Sequence, residues 1–393
     1  MINQLVNALS LSFSMFWEIL WALILGFILS AIIQAIVSKK QMSRLMPDDS
    51  PRSLAVATGL GAASSSCSYA SVAIARSLFR KGANFTSAIV FEFASTNLVF
   101  ELGIIMWLLL GWQFTLAEFI GGPVMIIILA ITFRIFLKKS LIEKARKQAD
   151  KGVAGVMEGH AAMDMSLSDG TLLQKATSKQ GVTSISHYFV MDWSSLWKDI
   201  ALGLIIAGAL AAWVPNSFWQ SFFFTNDPVL SKIWGPLIGP IVSMISFVCS
   251  IGNVPLAAVL WNGGISFGGV VAFIYADLLI LPVLNIYRKY YGMAMTVFLT
   301  ITSYVAIVLA GYFTEILFGA LHLIPTTRNA LVMSSGISFN YTSILNVVFI
   351  VVAGILFVRF YKTDGMKMLK MMGQPQMQHD EQKHEHEHGS CCH

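Results

Sequence analysis

Residues 64–82 read SSSCSYASVAIARSLFRKG, a small, polar, cysteine-bearing stretch in surroundings apolar enough to lie in lipid. Its meaning comes from a second copy. Shifting the chain along itself by 249 − 67 = 182 positions lays Cys67-Ser68 on Cys249-Ser250. Without a gap, Val72 then meets Val254, Ala75 meets Ala257, Leu78 meets Leu260, Gly82 meets Gly264, Phe85 meets Phe267, Phe91 meets Phe273 and Ala94 meets Ala276. Such self-similarity marks an old internal duplication, and the duplicated piece is expected to be the working part.

The rest of the chain fixes the solvent. Of 393 residues 56% are hydrophobic and 12% charged, with a mean hydropathy of +0.69, whereas soluble domains carry about a quarter charged residues. The sequence is that of an all-α, polytopic membrane protein whose first partner is the lipid bilayer. The net charge of +5 sits at span ends, where basic residues mark cytoplasmic faces, so no nucleic-acid surface is expected. Four cysteines are too few and too scattered for a disulfide framework. The N-terminus MINQLVNALSLS has no basic leader, so the first apolar run reads as a retained helix rather than a cleaved signal.

Spans of about 20 apolar residues cross a bilayer, and basic clusters orient them. Phe13 to Val37 ends at Lys39, Lys40 and Arg44, so the N-terminus is expected outside and this helix runs inward. Ser53 to Gly82 is interrupted by Ser64-Ser65-Ser66 and closed by Arg76, Arg80 and Lys81. A full crossing would put those cations outside, so a hairpin that enters from the cytoplasm and returns fits better. Asn84 to Trp112 then runs outward and Phe114 to Leu137 inward. Leu196 to Val214 runs outward, and Trp234 to Asn262, broken by glycines and prolines, reads as a hairpin dipping from outside. Ser266 to Ile286 returns inward to Arg288-Lys289, Gly292 to Phe318 goes out, and Tyr341 to Phe360 brings the C-terminus to the cytoplasm.

The expected organisation is therefore residues 1–137 as transmembrane half one, 138–192 as a cytoplasmic linker, 193–320 as half two, 321–362 as an outer loop and final helix, and 363–393 as a cytoplasmic tail. The halves come out as an inverted repeat with two broken or re-entrant helical hairpins plus an extra C-terminal helix. That pattern is the mark of secondary transporters, whose substrate site lies at the midplane where the interruptions meet.

The stretch CSIGNVPLAAVLWNGGISFGGVVAFIYAD (residues 249–277), with its weaker copy CSYASVAIARSLFRKGANFTSAIVFEFAS (residues 67–95), resembles the ArsP-type predicted permease family, the organoarsenical efflux permeases. The likeness covers about residues 53–137 and 229–318, and the Cys-Ser pair followed by Val-Pro-Leu-Ala is its most specific part. The resemblance implies a permease that exports trivalent organoarsenicals, although many relatives have no assigned substrate. The first copy departs from the pattern: Tyr69, Ala70 and Ala73 stand where a second cysteine, a glycine and a proline are often found.

Two sets of residues carry the expected chemistry. At the interruptions Ser66, Cys67, Ser68, Cys249, Ser250, Asn253 and Pro255 are the candidate substrate-binding residues. Thiolates are soft ligands for Cu(I), Zn or a trivalent metalloid, so a soft small-molecule or metal(loid) substrate is expected. The same two thiols also read as small buried hydrophobes. Within the spans, Glu92 and Asp277 are candidate proton-coupling carboxylates, with Asn97 and Glu101 as neighbours, because a carboxylate at a helix centre costs roughly 2.5–3.5 kcal/mol. Each also reads as a hydrogen-bonded structural acid, or as a partner for Arg76. Glu18, Glu118 and Glu315 sit nearer span ends, where snorkelling accounts for them. In the tail, His379, His384, His386, His388, Cys391, Cys392 and His393 suit a labile Zn, Cu or Ni site, and no cofactor is otherwise required.

No Walker A pattern is present, so ATP hydrolysis by this chain is not expected, nor any catalytic residue. A secondary permease exporting a thiol-reactive solute is the leading expectation. A membrane thiol-redox or metal-handling protein and a passive channel are the alternatives, and oligomeric state is not readable.

Overall fold

Serine, asparagine and glycine set where the helices of the two hairpins begin and end. The computed structural model describes residues 2–36, 44–65, 68–149, 174, 177–246, 250–330 and 341–367, and of the described residues 86% are helical and none is in a strand. A long helix α1 (Ile2–Ile36) precedes the first hairpin. Helix α2 (Pro51–Ser64) starts at Ser50, whose hydroxyl accepts from the Ser53 N–H at 3.3 Å, with Pro51 in its first turn. It stops at Ser65, which takes the left-handed φ of 38°. Helix α3 (Ser68–Arg80) ends at Gly82, φ 104°, where the Gly82 N–H reaches Phe79 O (3.1 Å) and the Ala83 N–H reaches Leu78 O (3.0 Å). Only glycine takes that φ without strain. Asn84 then caps α4 (Phe85–Asn97) by accepting from the Thr86 N–H, and α5 (Phe100–Leu109), α6 (Trp112–Phe136) and α7 (Lys139–Ala149) follow.

The second half repeats this series. After α8 (Lys179–Trp213) and the short α9 (Asn216–Phe222) come α10 (Pro228–Ser246), α11 (Ser250–Gly263) and α12 (Phe267–Tyr275). A 3-10 turn (Ala276–Leu279) leads into α13 (Leu281–Tyr291), α14 (Met293–Ala320) and finally α15 (Tyr341–Lys362). The offset read from sequence recurs at the element ends: 246 − 64, 250 − 68 and 267 − 85 are all 182. It recurs in the caps as well. Gly264, φ 112°, sends its N–H to Trp261 O (3.1 Å) and Ile265 sends its N–H to Leu260 O (3.2 Å), the same four places 182 positions on.

Both hairpins come back to where they set out. The Asn84 N–H, just past α3, reaches Met46 O at 2.9 Å, and the Ser87 hydroxyl reaches Asp48 O at 2.6 Å, both ahead of α2. In the second half Gly264, just past α11, abuts Thr225, just ahead of α10: a Cβ on Gly264 would lie 2.4 Å from Thr225 Cγ2. The expected re-entrant hairpins are therefore present. Asp48 lies at the first of these mouths, where the Ser50 and Ser53 hydroxyls and the Ser50 N–H hold its carboxyl below the usual range.

The two mouths lie at opposite ends of α6. Near its start Phe114 packs on Phe267 (4.6 Å) and Trp261 (5.0 Å) beside the second mouth, and near its end Phe133 stacks on Phe85 (6.3 Å) beside the first. Those two phenylalanines are 133 − 114 = 19 residues apart, or ~28 Å along a helix, about the depth of a hydrocarbon core. Helix α14 runs antiparallel to α6, with Phe298 on Phe133 and Phe318 on Phe267.

Helices α4 and α12 are buried on every side; α12 is almost wholly apolar, whereas α4 carries Thr86, Ser87, Glu92, Ser95, Thr96 and Asn97 into the interior. By contrast α14 turns Val297, Ile301, Val305, Leu309 and Ile316 outward, a stripe suited to lipid. Among the described residues five helices, with α4 and α5 taken together as one, are long and apolar enough to cross a membrane, or up to seven if each bent pair is one span.

Three boundaries differ from the sequence expectation. The segment from Asn84 to Trp112 breaks at Leu98–Val99 into α4 and α5, and that from Ser266 to Ile286 breaks after Tyr275 and bends by 41°. The stretch read as linker, 138–192, contains α7 and the first turns of α8. Those turns are held by α15: the Ser186 hydroxyl donates to Leu356 O (2.8 Å) and Arg359 donates to Lys179 O (2.6 Å).

Candidate functional site

The starts of α3 and α11 meet inside the bundle. Ser68 and Ser250, the first residues of these helices and 182 positions apart, place their hydroxyl oxygens 3.4 Å from each other. Both donate to one atom, Asp277 Oδ2, Ser68 at 2.7 Å and Ser250 at 2.6 Å. Asn97 Nδ2 approaches the other oxygen, Oδ1, at 3.4 Å. All four side chains are buried: Ser68, Asn97 and Asp277 are fully so and Ser250 is 4% exposed. Each repeat thus brings one hydroxyl to a shared acceptor, and the acceptor sits on the 3-10 turn that interrupts the second repeat. Three donors around one carboxylate make the junction costly to leave half-satisfied.

Asn253 sits one turn into α11 and ties it to α10 beside the junction. Its Nδ2 donates to Ser243 Oγ (3.2 Å), while the Ser246 hydroxyl reaches its Oδ1 at 3.5 Å. Pro255 follows within α11 and removes a helical N–H there. Glu92 lies on α4, further toward the first mouth, and accepts a short hydrogen bond from the Tyr287 hydroxyl of α13. Its second oxygen has no partner among the described residues. The expected Arg76 partnership is not what Glu92 uses: Arg76 donates through Nε (3.0 Å) and Nη2 (2.6 Å) to Ala149 O and lies over the Tyr290 ring. Of the two expected neighbours, Asn97 reaches Asp277, whereas Glu101 packs against Gly26 of α1.

Snorkelling does not describe two of the acids assigned to span ends. Glu118 is wholly buried, with neither carboxylate oxygen partnered among the described residues. Glu315 is 6% exposed and accepts from the Gly268 N–H at 2.6 Å. Counting residues from a helix end finds depth in lipid but not the neighbours that cover the end. The Glu18 side chain lies outside the described residues. So do Ser66, Cys67 and Cys249, which flank the two junction serines in sequence, and the whole tail set His379, His384, His386, His388, Cys391, Cys392 and His393. Among the described residues no group of three or more metal-ligating side chains occurs.

Sequence reasoning missed a symmetric pair of arginines. At the first mouth Arg146 of α7 donates to Phe79 O (2.9 Å) and lies 4.1 Å over the Phe79 ring. At the second mouth Arg328 donates to Trp261 O (2.7 Å) and lies 4.2 Å over the Trp261 ring. Both members shift together, since 328 − 146 and 261 − 79 are each 182. Arg328 also donates to Ile265 O (2.7 Å) and borders a cavity of about 490 Å³ lined by Lys232, Glu315 and His322 among others. Extending the 182-residue shift past the apolar spans would have found the pair.

Residues 4–316 match the family ArsP_1, described as "Predicted permease". Over 346 residues, 88% of this chain and 85% of the relative, the sequence is 61% identical to "Putative permease Rv2963" of Mycobacterium tuberculosis (strain ATCC 25618 / H37Rv). No solved structure matches the chain.

Proposed function

Because the chain belongs to the ArsP_1 family of predicted permeases, we propose that it is a secondary transporter that passes its solute between the tips of two re-entrant hairpins, gated at Asp277. The observation that carries this is the convergence of Ser68 and Ser250 on one carboxylate oxygen at the junction of the repeats. Broken helices leave backbone groups that need a ligand, and solutes are bound at such breaks. The antiparallel course of α6 and α14, and mouths at opposite ends of α6, support an inverted repeat in which the tips can be reached from either side in turn.

Arg80, Lys81, Arg146, Lys147, Arg288 and Lys289 belong to elements that meet at the first mouth, which supports a cytoplasmic first mouth, an external N-terminus and a cytoplasmic C-terminus. The substrate class is a soft, thiol-reactive solute such as a trivalent organoarsenical or heavy-metal ion, exported against proton entry. Cys67 and Cys249 would bind it, helped by Ser66, Ser68, Ser250, Asn253 and the helical hydrogen bond missing at Pro255, while Glu92 and Asp277 carry the proton. The His/Cys tail would hold a labile metal ion apart from this path.

The test uses purified full-length protein in proteoliposomes with a trivalent methylated arsenical as probe. Uptake should follow an imposed pH gradient and collapse when the gradient is dissipated. Cys67→Ser and Cys249→Ser should each weaken the apparent affinity about tenfold, a loss of roughly 1.4 kcal/mol. Flux that ignores the gradient would make the protein a passive channel. Normal behaviour of both cysteine variants would remove the thiols from the site.

A further inference from the structure

Helix α6 carries a carboxyl group that the junction does not use. Glu118 is fully buried and neither of its oxygens has a hydrogen-bond partner among the described residues. Around it α6 is wedged tightly: the Tyr275 hydroxyl donates to Glu118 O (3.0 Å) and Ala117 O (3.3 Å), and a Cβ on Gly121 would lie 2.6 Å from both the Tyr275 hydroxyl and Thr314 Cγ2. Asp277, two residues after Tyr275, lies within Coulombic range of Glu118. The other titratable groups on the helices packed against α6 are engaged elsewhere: Glu315 with the Gly268 N–H, Glu92 with the Tyr287 hydroxyl, Tyr304 with Leu237 O, Tyr312 with Ile233 O, and Glu101 packs against α1. A site of this kind can hold a proton but supplies no donor for a bare charge.

Depth orders the acids. Measured from the first mouth, Glu92 is 92 − 85 = 7 residues from Phe85, Asn97 at the junction is 97 − 85 = 12, and Glu118 is 133 − 118 = 15 residues from Phe133. At the helical rise these are ~10, ~18 and ~22 Å along a path of ~28 Å between mouths. Intramembrane acids spaced across such a path suit a proton relay.

We propose that Glu118 is a third proton-carrying residue, receiving the coupling proton from the side of the second mouth and passing it to Asp277. This rests on the proton-coupled reading above, so the experiment separates the two. Proteoliposomes loaded with a pH-sensitive dye report luminal pH while the arsenical probe moves. In wild type, solute movement should drive proton movement. Glu118→Gln should cut the proton signal about tenfold and flatten the pH dependence of transport, and Glu118→Asp should recover part of both. A Glu118→Gln protein with wild-type proton movement overturns the role of Glu118 alone. So does one that loses stability and solute binding together with an unchanged pH profile. Solute movement without protons in wild type overturns the coupling itself.

A different observation carries a second inference. The structure assigns to Arg146 and Arg328 the role of matched latches, each closing one mouth. Each guanidinium binds the carbonyl at the end of a hairpin's returning helix and covers the aromatic ring of that same residue. These carbonyls lie in the last turn of their helices, three residues ahead of the glycine caps, where a cation also meets the negative end of the helix. The caps are followed by Ala83 and Ile265, equivalent and fully buried.

In a cysteine-free background, Ala83→Cys and Ile265→Cys are labelled with a membrane-impermeant maleimide from each side. Arg146→Gln should raise labelling at 83 about tenfold and leave 265 unchanged, and Arg328→Gln should do the reverse. Phe79→Leu and Trp261→Leu, which remove the rings and keep the arginines, should reproduce the same one-sided effects. Equal gains at both positions, or none at either, would overturn the assignment.

Discussion

Asp277→Asn is expected to lower transport about a hundredfold while the protein still inserts and elutes like wild type. The size follows from donor counting. Asp277 accepts from Ser68 and Ser250 on one oxygen and faces Asn97 Nδ2 with the other. An asparagine that keeps its oxygen toward the two hydroxyls turns its Nδ2 on Asn97 Nδ2, donor against donor, and the reverse orientation forces both hydroxyls to give up donating and accept instead. Each buried group left unsatisfied costs about 1–3 kcal/mol, and every 1.4 kcal/mol is tenfold. The substituted side chain can no longer take up a proton either, so both the junction and the coupling step suffer. Initial rates in proteoliposomes measure the effect. A variant with wild-type rates would mean that Asp277 only packs.

The second large effect comes from tying the two tips together. Ser68→Cys with Ser250→Cys, in a background where Cys67, Cys249, Cys391 and Cys392 are alanine, should form a disulfide under mild oxidation. The serine oxygens, whose places the two sulfurs would take, are 3.4 Å apart, a small side-chain rotation from the about 2.05 Å of an S–S bond. Cutting the chain once between the halves then gives one band without reductant and two with it. At saturating solute, which offsets the missing thiols, oxidation should cut the transport of this same reduced variant more than about tenfold and reduction should restore it to that variant's own level, since a solute that passes between the tips requires them to part. A cross-linked protein that transports normally would show that the path lies elsewhere.

Much of the architecture could be read from residues because the duplication left the same local grammar twice. Gly82 and Gly264 both stand at left-handed caps, and Asn84 and Ser266 both cap the helix that follows. The Ser64-Ser65-Ser66 interruption and the Cys-Ser pairs pointed to the hairpin tips, and Ser68 and Ser250 do meet there. The breaks at Leu98–Val99 and Ala276–Ile280 were not legible, since leucine, valine and isoleucine suit an unbroken apolar helix as well as a bent one. Glu118 was misjudged for a related reason. It lies only 118 − 112 = 6 residues into α6, so a count along one helix leaves it near water. Tyr275 and Thr314, far away in sequence, seal that end. The arginine latches were hidden because the immediate neighbours of Arg146 and Arg328 differ, and the matching pairs Leu141-Ile142 and Leu323-Ile324 are too short to stand out beyond the apolar spans.

The carboxylate at the junction has no counterpart in the first half: the equivalent position, 277 − 182 = 95, is Ser95, whose hydroxyl turns back to Glu92 O. Two identical halves would have brought two acids face to face, whose mutual repulsion would drive the hydroxyls apart. With a single acid, both can bind it. On the proposed reading, in which the tips part and close again, the closed arrangement that serves Asp277 with both hydroxyls is then expected to be the more populated.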